Sequence, residues 1–138
     1  MLNKRNLYVS DAIIPLKGVP ILNDKNLLKE ALEQMIKFKY GVCFCVKKNK
    51  KLCGILTDGD IRRKILNIQK PFSALLNDDL SIHINTNPKK IKIDQKLTIA
   101  LKLMEKYKIW DMPVVDKKNN LVGMLHMHSI IKIINRKK

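Results

Sequence analysis

Apolar residues recur at helical spacing twice along the chain. Leu28, Ala31, Leu32, Met35 and Ile36 stand at i, i+3, i+4, i+7 and i+8, and Leu97, Ala100, Leu101 and Met104 repeat the first four of these spacings. Each set predicts an amphipathic helix with one face toward a core. Asp24 and Asp94 are positioned as N-caps, one ahead of each helix. Behind each helix come two short apolar runs joined by a polar turn. Val42–Val46 and Leu52–Leu56 flank KKNKK, and Met112–Val115 and Leu121–Leu125 flank DKKNN, so each pair reads as a β-hairpin. A short apolar stretch precedes each helix (Val19–Leu22, Lys90–Ile93), and a second short helix closes each set (Gly59–Leu66, His128–Asn135).

These two sets are one unit written twice. Residues 27–65 align with residues 96–134 at a constant offset of 69, without a gap. Leu28 meets Leu97, Val46 meets Val115, Leu52 meets Leu121, Gly54 meets Gly123 and Ile61 meets Ile130. About a third of the positions are identical, and the identities fall mainly on apolar residues and one glycine. The order β-α-β-β-α, twice, predicts an α/β (α+β) fold with pseudo-twofold symmetry. The crossover helix lets the first two strands of each unit lie parallel, and the last two form the hairpin. The expected boundaries are 8–67 for the first repeat, 68–82 for a linker holding Pro71 and the pair Asp78–Asp79, and 83–138 for the second repeat. One copy alone has too little core to be secure, so the two are expected to pack sheet to sheet around a common cleft.

Composition narrows the function classes. The 138 residues carry 28 Lys+Arg against 12 Asp+Glu, a net charge of +16. Only four of the basic residues are arginine, the lysines are spread along the chain, and aromatic residues are 5%. Phosphate forks and base-edge readout favour Arg, and base stacking needs aromatics, so nucleic acid is not the expected partner. Lys, Ile and Asn together make 54 residues, and their AT-rich codons account for the charge by themselves. No apolar run approaches the roughly 20 residues of a membrane span, and MLNKRNLYVSDAII lacks a signal-peptide core. Cys43, Cys45 and Cys53 are odd in number and lie in strand-like runs. They read as buried residues of a protein in the reducing cytoplasm, with no metal site and no disulfide framework. No nucleophile–base–acid constellation, P-loop or Gly-rich dinucleotide turn is present, so no catalytic residue is assigned.

Two tandem β-α-β-β-α units, each with an L-x-G-hydrophobic-hydrophobic segment before the last helix, resemble a CBS-domain pair. The segments are LCGILTDGDIRR and LVGMLHMHSII, and the resemblance covers about residues 8–135. GILTDGDIRR, GMLHMHSII and DAIIPLKGVPILNDKNLLKEAL further resemble the regulatory half of arabinose 5-phosphate isomerases of the sugar-isomerase plus CBS type. Those enzymes interconvert ribulose 5-phosphate and arabinose 5-phosphate for synthesis of the lipopolysaccharide sugar Kdo. The resemblance implies a regulatory module whose catalytic sugar-isomerase domain or subunit lies elsewhere. It also implies a nucleotide or sugar-nucleotide effector, AMP- or ATP-like or CMP-like, with no cofactor required. NTNPKKI slightly resembles the CBS pair of sugar-phosphate nucleotidyltransferases, the alternative context. A purely structural dimerisation module is a further alternative, since CBS pairs commonly assemble face to face.

The sharpest motif is Thr57-Asp58-Gly59-Asp60, where a strand gives way to a helix. Helix N-termini favour phosphate through unpaired N–H groups and the dipole. Thr57 offers a hydroxyl, Gly59 permits close approach, and Asp60 could accept two hydrogen bonds from a ribose diol. The T-x-x-D positions do this in CBS pairs, which implies the same roles for Thr57 and Asp60. Arg62 and Arg63, one turn in, could reach a second phosphate or a carboxylate. Plain helix capping by Thr57 or Asp58 is the competing reading. The second repeat has His126, Met127, His128 and Ser129 here, and related isomerases commonly show H-M-H-D, so Ser129 is a departure. His126 and His128 could face an anion, and Met112-Pro113 could lie against a base. Trp110 is read as a stacking platform or as a core or dimer contact. The backbone at Val19 and Pro20 could hydrogen-bond a base edge. Homodimerisation is expected through helical faces, from the Met35 and Met104 stripes and the IIKII run of Ile130–Ile134.

Overall fold

The computed structural model describes residues 6–136. The chain forms two compact units. One is Val19–Pro88. The other is Met1–Gly18 with Lys89–Lys138, of which 6–18 and 89–136 are described.

In the unit Val19–Pro88, β2 (Ile21–Leu22) leads through α2 (Leu28–Phe38) to β3 (Val42–Val46), and β3 turns into β4 (Leu52–Thr57). The sheet order is β2-β3-β4. β2 runs parallel to β3, and β3 is antiparallel to β4, as a crossover helix followed by a hairpin requires. The helical stripe does the packing. Leu28, Ala31 and Met35 are buried against Cys43, Cys45 and Leu56 of the sheet. α3 (Asp58–Asn67) then starts directly at the end of β4.

The other unit repeats this plan with β5 (Ile91–Lys92), α5 (Leu97–Tyr107), β6 (Asp111–Val115), β7 (Leu121–His126) and α6 (Met127–Asn135). β5 pairs parallel to β6 and β6 antiparallel to β7. Leu97, Ala100 and Met104 fill its core with Met112, Val114, Leu125 and Ile130. Even the irregularities repeat. Both hairpins bulge at the same place, between Cys45/Val46 and Val114/Val115. Lys39 and Lys108, 69 apart, end α2 and α5 in the left-handed region at φ 62° and 54°. The next amides, Tyr40 and Ile109, close each helix end by donating to the Met35 and Met104 carbonyls at 3.2 and 3.0 Å.

Three features depart from expectation. Asp24 and Asp94 do not cap the helices, whose N-caps are Leu27 and Lys96. Asn23 instead folds residues 23–26 into a turn, accepting from the Lys25 amide, while the Leu27 amide donates to Glu30 Oε1 at 2.9 Å. Ile36 lies outside the core at 77% exposure, because the sheet covers only the Leu28–Ala31–Met35 face. Met35 and Met104 are buried in their own cores, so they leave no stripe for a partner.

Two short segments outside the repeat pattern complete the units. α1 (Val9–Ala12) and β1 (Ile14–Pro15) precede the first repeat, yet β1 pairs antiparallel with β7, and Val9 and Ala12 join the second repeat's core. The stretch after α3 is likewise built in. α4 (Phe72–Leu76) and the turn Leu80–Ile82 place Leu75 and Leu80 in the core of Val19–Pro88. This stretch is tied down by backbone bonds, from the Leu28 amide to the Asp78 carbonyl at 2.9 Å and from the Leu80 amide to the Asn26 carbonyl at 2.7 Å. His83 is buried there, its Nε2 2.8 Å from Asp78 Oδ2, and Lys70 Nζ reaches the same carboxylate at 2.7 Å.

Two outcomes follow from this packing. A left-handed lysine carries a steric cost that glycine lacks. Lys108→Gly is expected to raise stability by about 0.5–1 kcal/mol, read as a higher midpoint in urea with an unchanged slope. The second concerns Asp78, whose carboxyl Lys70 first and His83 second hold below the usual carboxylate range. The resulting stabilisation is fully present above the unfolded value of about 3.9 and is lost as pH falls through the lower native value. Asp78→Asn should therefore lower the melting temperature at neutral pH and flatten its decline below about pH 4.

Candidate functional site

The end of the β2-β3-β4 sheet gathers most of the first repeat's predicted residues. Val42 pairs with Thr57, and the Phe44 amide donates to the Pro20 carbonyl at 2.9 Å. Val19 and Pro20 therefore sit at the same sheet end as the Thr57–Asp60 turn. Both are buried, and the Pro20 carbonyl already serves the sheet.

At the turn, Thr57 and Asp60 form a reciprocal capping box. The Asp60 amide donates to Thr57 Oγ1 at 3.2 Å, and the Thr57 amide donates to Asp60 Oδ2 at 3.0 Å. A cap of this kind is worth about 1 kcal/mol. The other carboxylate oxygen of Asp60 accepts from Arg63 Nη2 at 2.8 Å. The Asp58 amide donates to the Gly41 carbonyl at 3.0 Å. Gly41 lets the Asp58 carboxylate lie close over the backbone, where a larger side chain would displace it. Gly59 occupies the second position of the helix, beneath two guanidinium groups. A Cβ at Gly59 would lie 3.3 Å from Arg63 Nη1 and 3.7 Å from Arg62 Nη2. Two permanent cations thus stand over the positive end of a ten-residue helix. That is an environment for an anion with several oxygens. Asp60 retains lone pairs beyond those used in the box, so it can also accept from hydroxyl groups.

The second repeat keeps the backbone of this turn and changes its chemistry. The Met127 amide donates to the Trp110 carbonyl at 2.9 Å, as Asp58 does to Gly41. Ser129 Oγ donates to the His126 carbonyl at 2.8 Å and accepts from the His126 amide at 3.2 Å. Its hydroxyl is thus committed to the turn. His126 Nδ1 accepts from the His128 amide at 2.9 Å, so the neutral ring carries its proton on Nε2, which stands 3.5 Å from Asp111 Oδ1. Burial, and then the neighbouring His128, push the His126 pKa down, favouring that neutral form. Met112 is fully buried in the core of its unit and Pro113 is buried beside it. Trp110 is 67% exposed, which removes it from the core, and His128 is exposed.

Sequence reasoning missed Gly41, which is visible only as the position where the second repeat has Trp110. It also missed Asp111, which reads as part of a strand and not as a partner for His126. A cavity of about 910 Å³ lies at the opposite end of the first repeat's sheet, among Ile21, Leu22, Asp24, Val46 and Lys47. It touches none of the turn residues. Among the described residues no group of three or more His, Cys, Asp or Glu could hold a metal ion, and no helix is long and apolar enough to cross a membrane.

Comparison with known proteins places this geometry. The CBS domain family matches residues 9–67 and 79–136. The arabinose 5-phosphate isomerase KdsD of Francisella tularensis is 32% identical over 135 residues, which is 94% of this chain and 38% of that protein. The chain thus spans about two fifths of the length of such curated relatives. The crystal structure of CBSX2 in complex with AMP superposes with a TM-score of 0.83 at 21% identity, covering 95% of this chain and 98% of that one. The CBS domain pair of protein MJ0100, in complex with methylthioadenosine and S-adenosyl-L-methionine, gives 0.78 at 23% identity, with coverage of 95% and 98%. At such identities these structures speak for the fold, and with the match in both halves they identify the chain as a member of the CBS domain family that carries the domain twice in tandem.

Proposed function

We propose that this CBS pair is the nucleotide-sensing regulatory module of an arabinose 5-phosphate isomerase serving Kdo and lipopolysaccharide synthesis, and that its effector is an adenine nucleotide. The observation that carries the reading is the start of α3. Arg62 and Arg63 stand over Gly59 at the positive helix end, with Thr57 and Asp60 beside them. Phosphate would take the guanidinium groups and the helix start, and Asp60 would turn to the ribose diol. A carboxylate facing phosphate would be repelled, so the ribose is the partner that makes chemical sense of Asp60. The adenine choice is supported by the AMP bound to CBSX2 and the S-adenosyl-L-methionine bound to MJ0100. The isomerase context is supported by the KdsD likeness.

The second repeat contributes less to this reading. Ser129 has spent its hydroxyl on the turn and His126 is held neutral, so neither replaces the carboxylate. Regulation requires that the nucleotide bind one arrangement of the attached or partner isomerase better than another. A homodimer would use exposed apolar residues such as Ile36 of α2 and Leu66 of α3, since the buried methionines are unavailable.

The test is calorimetric titration with AMP, ATP and CMP. AMP or ATP should bind more tightly than CMP, and ligand at 100 times its dissociation constant should add about 2.7 kcal/mol of stability. Asp60→Asn keeps an oxygen for the Thr57 amide but loses the charge. It should weaken binding by about 1.5–3 kcal/mol, whereas Ser129→Ala should change it little. No binding of any of the three at millimolar concentration would leave the turn as a helix cap and the module as a scaffold.

A further inference from the structure

The bulge in the first repeat's hairpin does something the repeat pattern does not require. In register, Cys45 faces Gly54 and Val46 faces Leu52, so Cys53 is the extra residue of β4 at the bulge. A bulge breaks the alternation of faces and re-aims the side chain it carries. Here it brings Cys53 Sγ to 3.1 Å from Cys45 Sγ. That is about 1 Å beyond the ~2.05 Å of a bonded pair. Cys53 is the partly exposed member of the pair and Cys45 the fully buried one.

Packing does not explain the pair. The second repeat has the same bulge, and the equivalent positions are Val114 and Val122. Val114 is fully buried, and Val122 packs partly buried against the same core. Two aliphatic side chains thus satisfy this corner of the fold, and the first repeat has two sulfurs there instead.

We propose that Cys45 and Cys53 are a modification site, joined by a reversible disulfide when the protein meets a peroxide. Hydrogen peroxide oxidises Cys53, the partly exposed member of the pair. Its thiolate attacks one peroxide oxygen, the O–O bond breaks, and Cys53 becomes a sulfenic acid while hydroxide leaves and is protonated to water. Cys45 sulfur then attacks Cys53 sulfur. The S–S bond forms, the S–O bond breaks, and the departing hydroxide takes the Cys45 proton as a second water. The two thiols lose two electrons in all, which reduce the two peroxide oxygens. Burial, the Cys53 thiol and the nearby Asp24 carboxylate hold the Cys45 thiol protonated, pushing its pKa well up. Cys45 is thus a poor first nucleophile but a well-placed second one, because its sulfur is already in contact. Cys43 stays out of the reaction. It is buried, its Sγ is directed to the Phe44 carbonyl at 3.8 Å, and burial raises its pKa to about 12.

The link would clamp the hairpin just behind the Lys47–Lys51 turn. Val46 and Lys47, which follow Cys45 directly, line the 910 Å³ cavity with Leu22, the register partner of Cys45. Oxidation would therefore stiffen one wall of that cavity. The inference is independent of nucleotide binding.

The experiment is titration of the whole protein with hydrogen peroxide, followed by thiol counting under denaturing conditions and peptide mapping. The three thiols should fall to one, with a Cys45–Cys53 peptide link, a mass lower by two hydrogens, and full recovery with dithiothreitol. Cys53→Val, which copies the second repeat, should start at two thiols and lose none. Cys45→Val should leave Cys53 as a sulfenic acid trapped by dimedone, with no internal link. The proposal is overturned if all three thiols survive peroxide, if Cys53 proceeds to a sulfinic acid with Cys45 still free, or if the link joins Cys53 of two chains. Should either valine variant fail to fold, the peptide map of the unaltered protein decides the matter.

Discussion

Close approach of backbone to backbone governs both units. Gly54 in β4 and Gly123 in β7 are aligned by the repeat, and a side chain at either would force its neighbours to move. A Cβ at Gly123 would meet the Ile14 carbonyl and lie 2.8 Å from Ile13 Cδ1. A Cβ at Gly54 would lie 2.6 Å from Ile84 Cδ1 and 3.0 Å from the Asn85 carbonyl. In each unit the missing side chain lets a short segment lie along the last strand. Ile14 and Pro15 pair there with Met124 and Gly123, and Asn85 bridges to Ile55. These contacts satisfy backbone groups that an uncovered edge would leave to solvent or to another chain. They also explain why the segment preceding the first repeat belongs to the compact unit of the second.

With the frame repeated so closely, the two repeats differ by chemistry and not by geometry. Both last strands run into a helix whose first residue is held by the carbonyl just before the neighbouring strand, Gly41 in one case and Trp110 in the other. Both helix starts are capped from position N3. Asp60 does so with a carboxylate that has spare acceptor sites, while Ser129 does so with a single hydroxyl. Gly41 has Trp110, 67% exposed, as its counterpart. Arg62 and Arg63 have Ile131 and Lys132 as their counterparts, so the pair of guanidinium groups occurs once. The same asymmetry governs the hairpins, where one bulge holds two valines and the other two thiols. A fold that tolerates either set at the same backbone leaves these positions free to be chosen for what they do.

Much of this was legible in the sequence. The i, i+3, i+4 and i+7 spacing gave α2 and α5, because a helix buries one stripe against a sheet whatever else surrounds it. The apolar runs around KKNKK and DKKNN gave the hairpins, and the 69-residue offset gave the duplication. The strand-to-helix position of Thr57–Asp60 followed from the same pattern. Such features are local, so a window of a dozen residues contains their cause. Asp24 fails as an N-cap for a local reason too, since residues 23–26 fold into a turn organised by Asn23.

What only the tertiary structure decided depends on residues far apart in the chain. Periodicity marks Ile36 as apolar, but the width of the sheet beneath α2 leaves it in solvent. His83 reads as a polar residue at the start of the second repeat. It is buried because Leu75 and Leu80 draw the stretch before it into the core, where Asp78 meets the ring. The pairing of β1 with β7 joins residues more than a hundred positions apart, and nothing near Ile14 announces it. The bulge that turns Cys53 toward Cys45 is a property of two strands in register, not of either alone. The sequence by itself determined the helices and hairpins of the repeat and that they come twice, because those follow from nearest-neighbour periodicity. Partners, covered edges and the contact of two sulfurs follow from packing, which is settled only when distant segments compete for the same space.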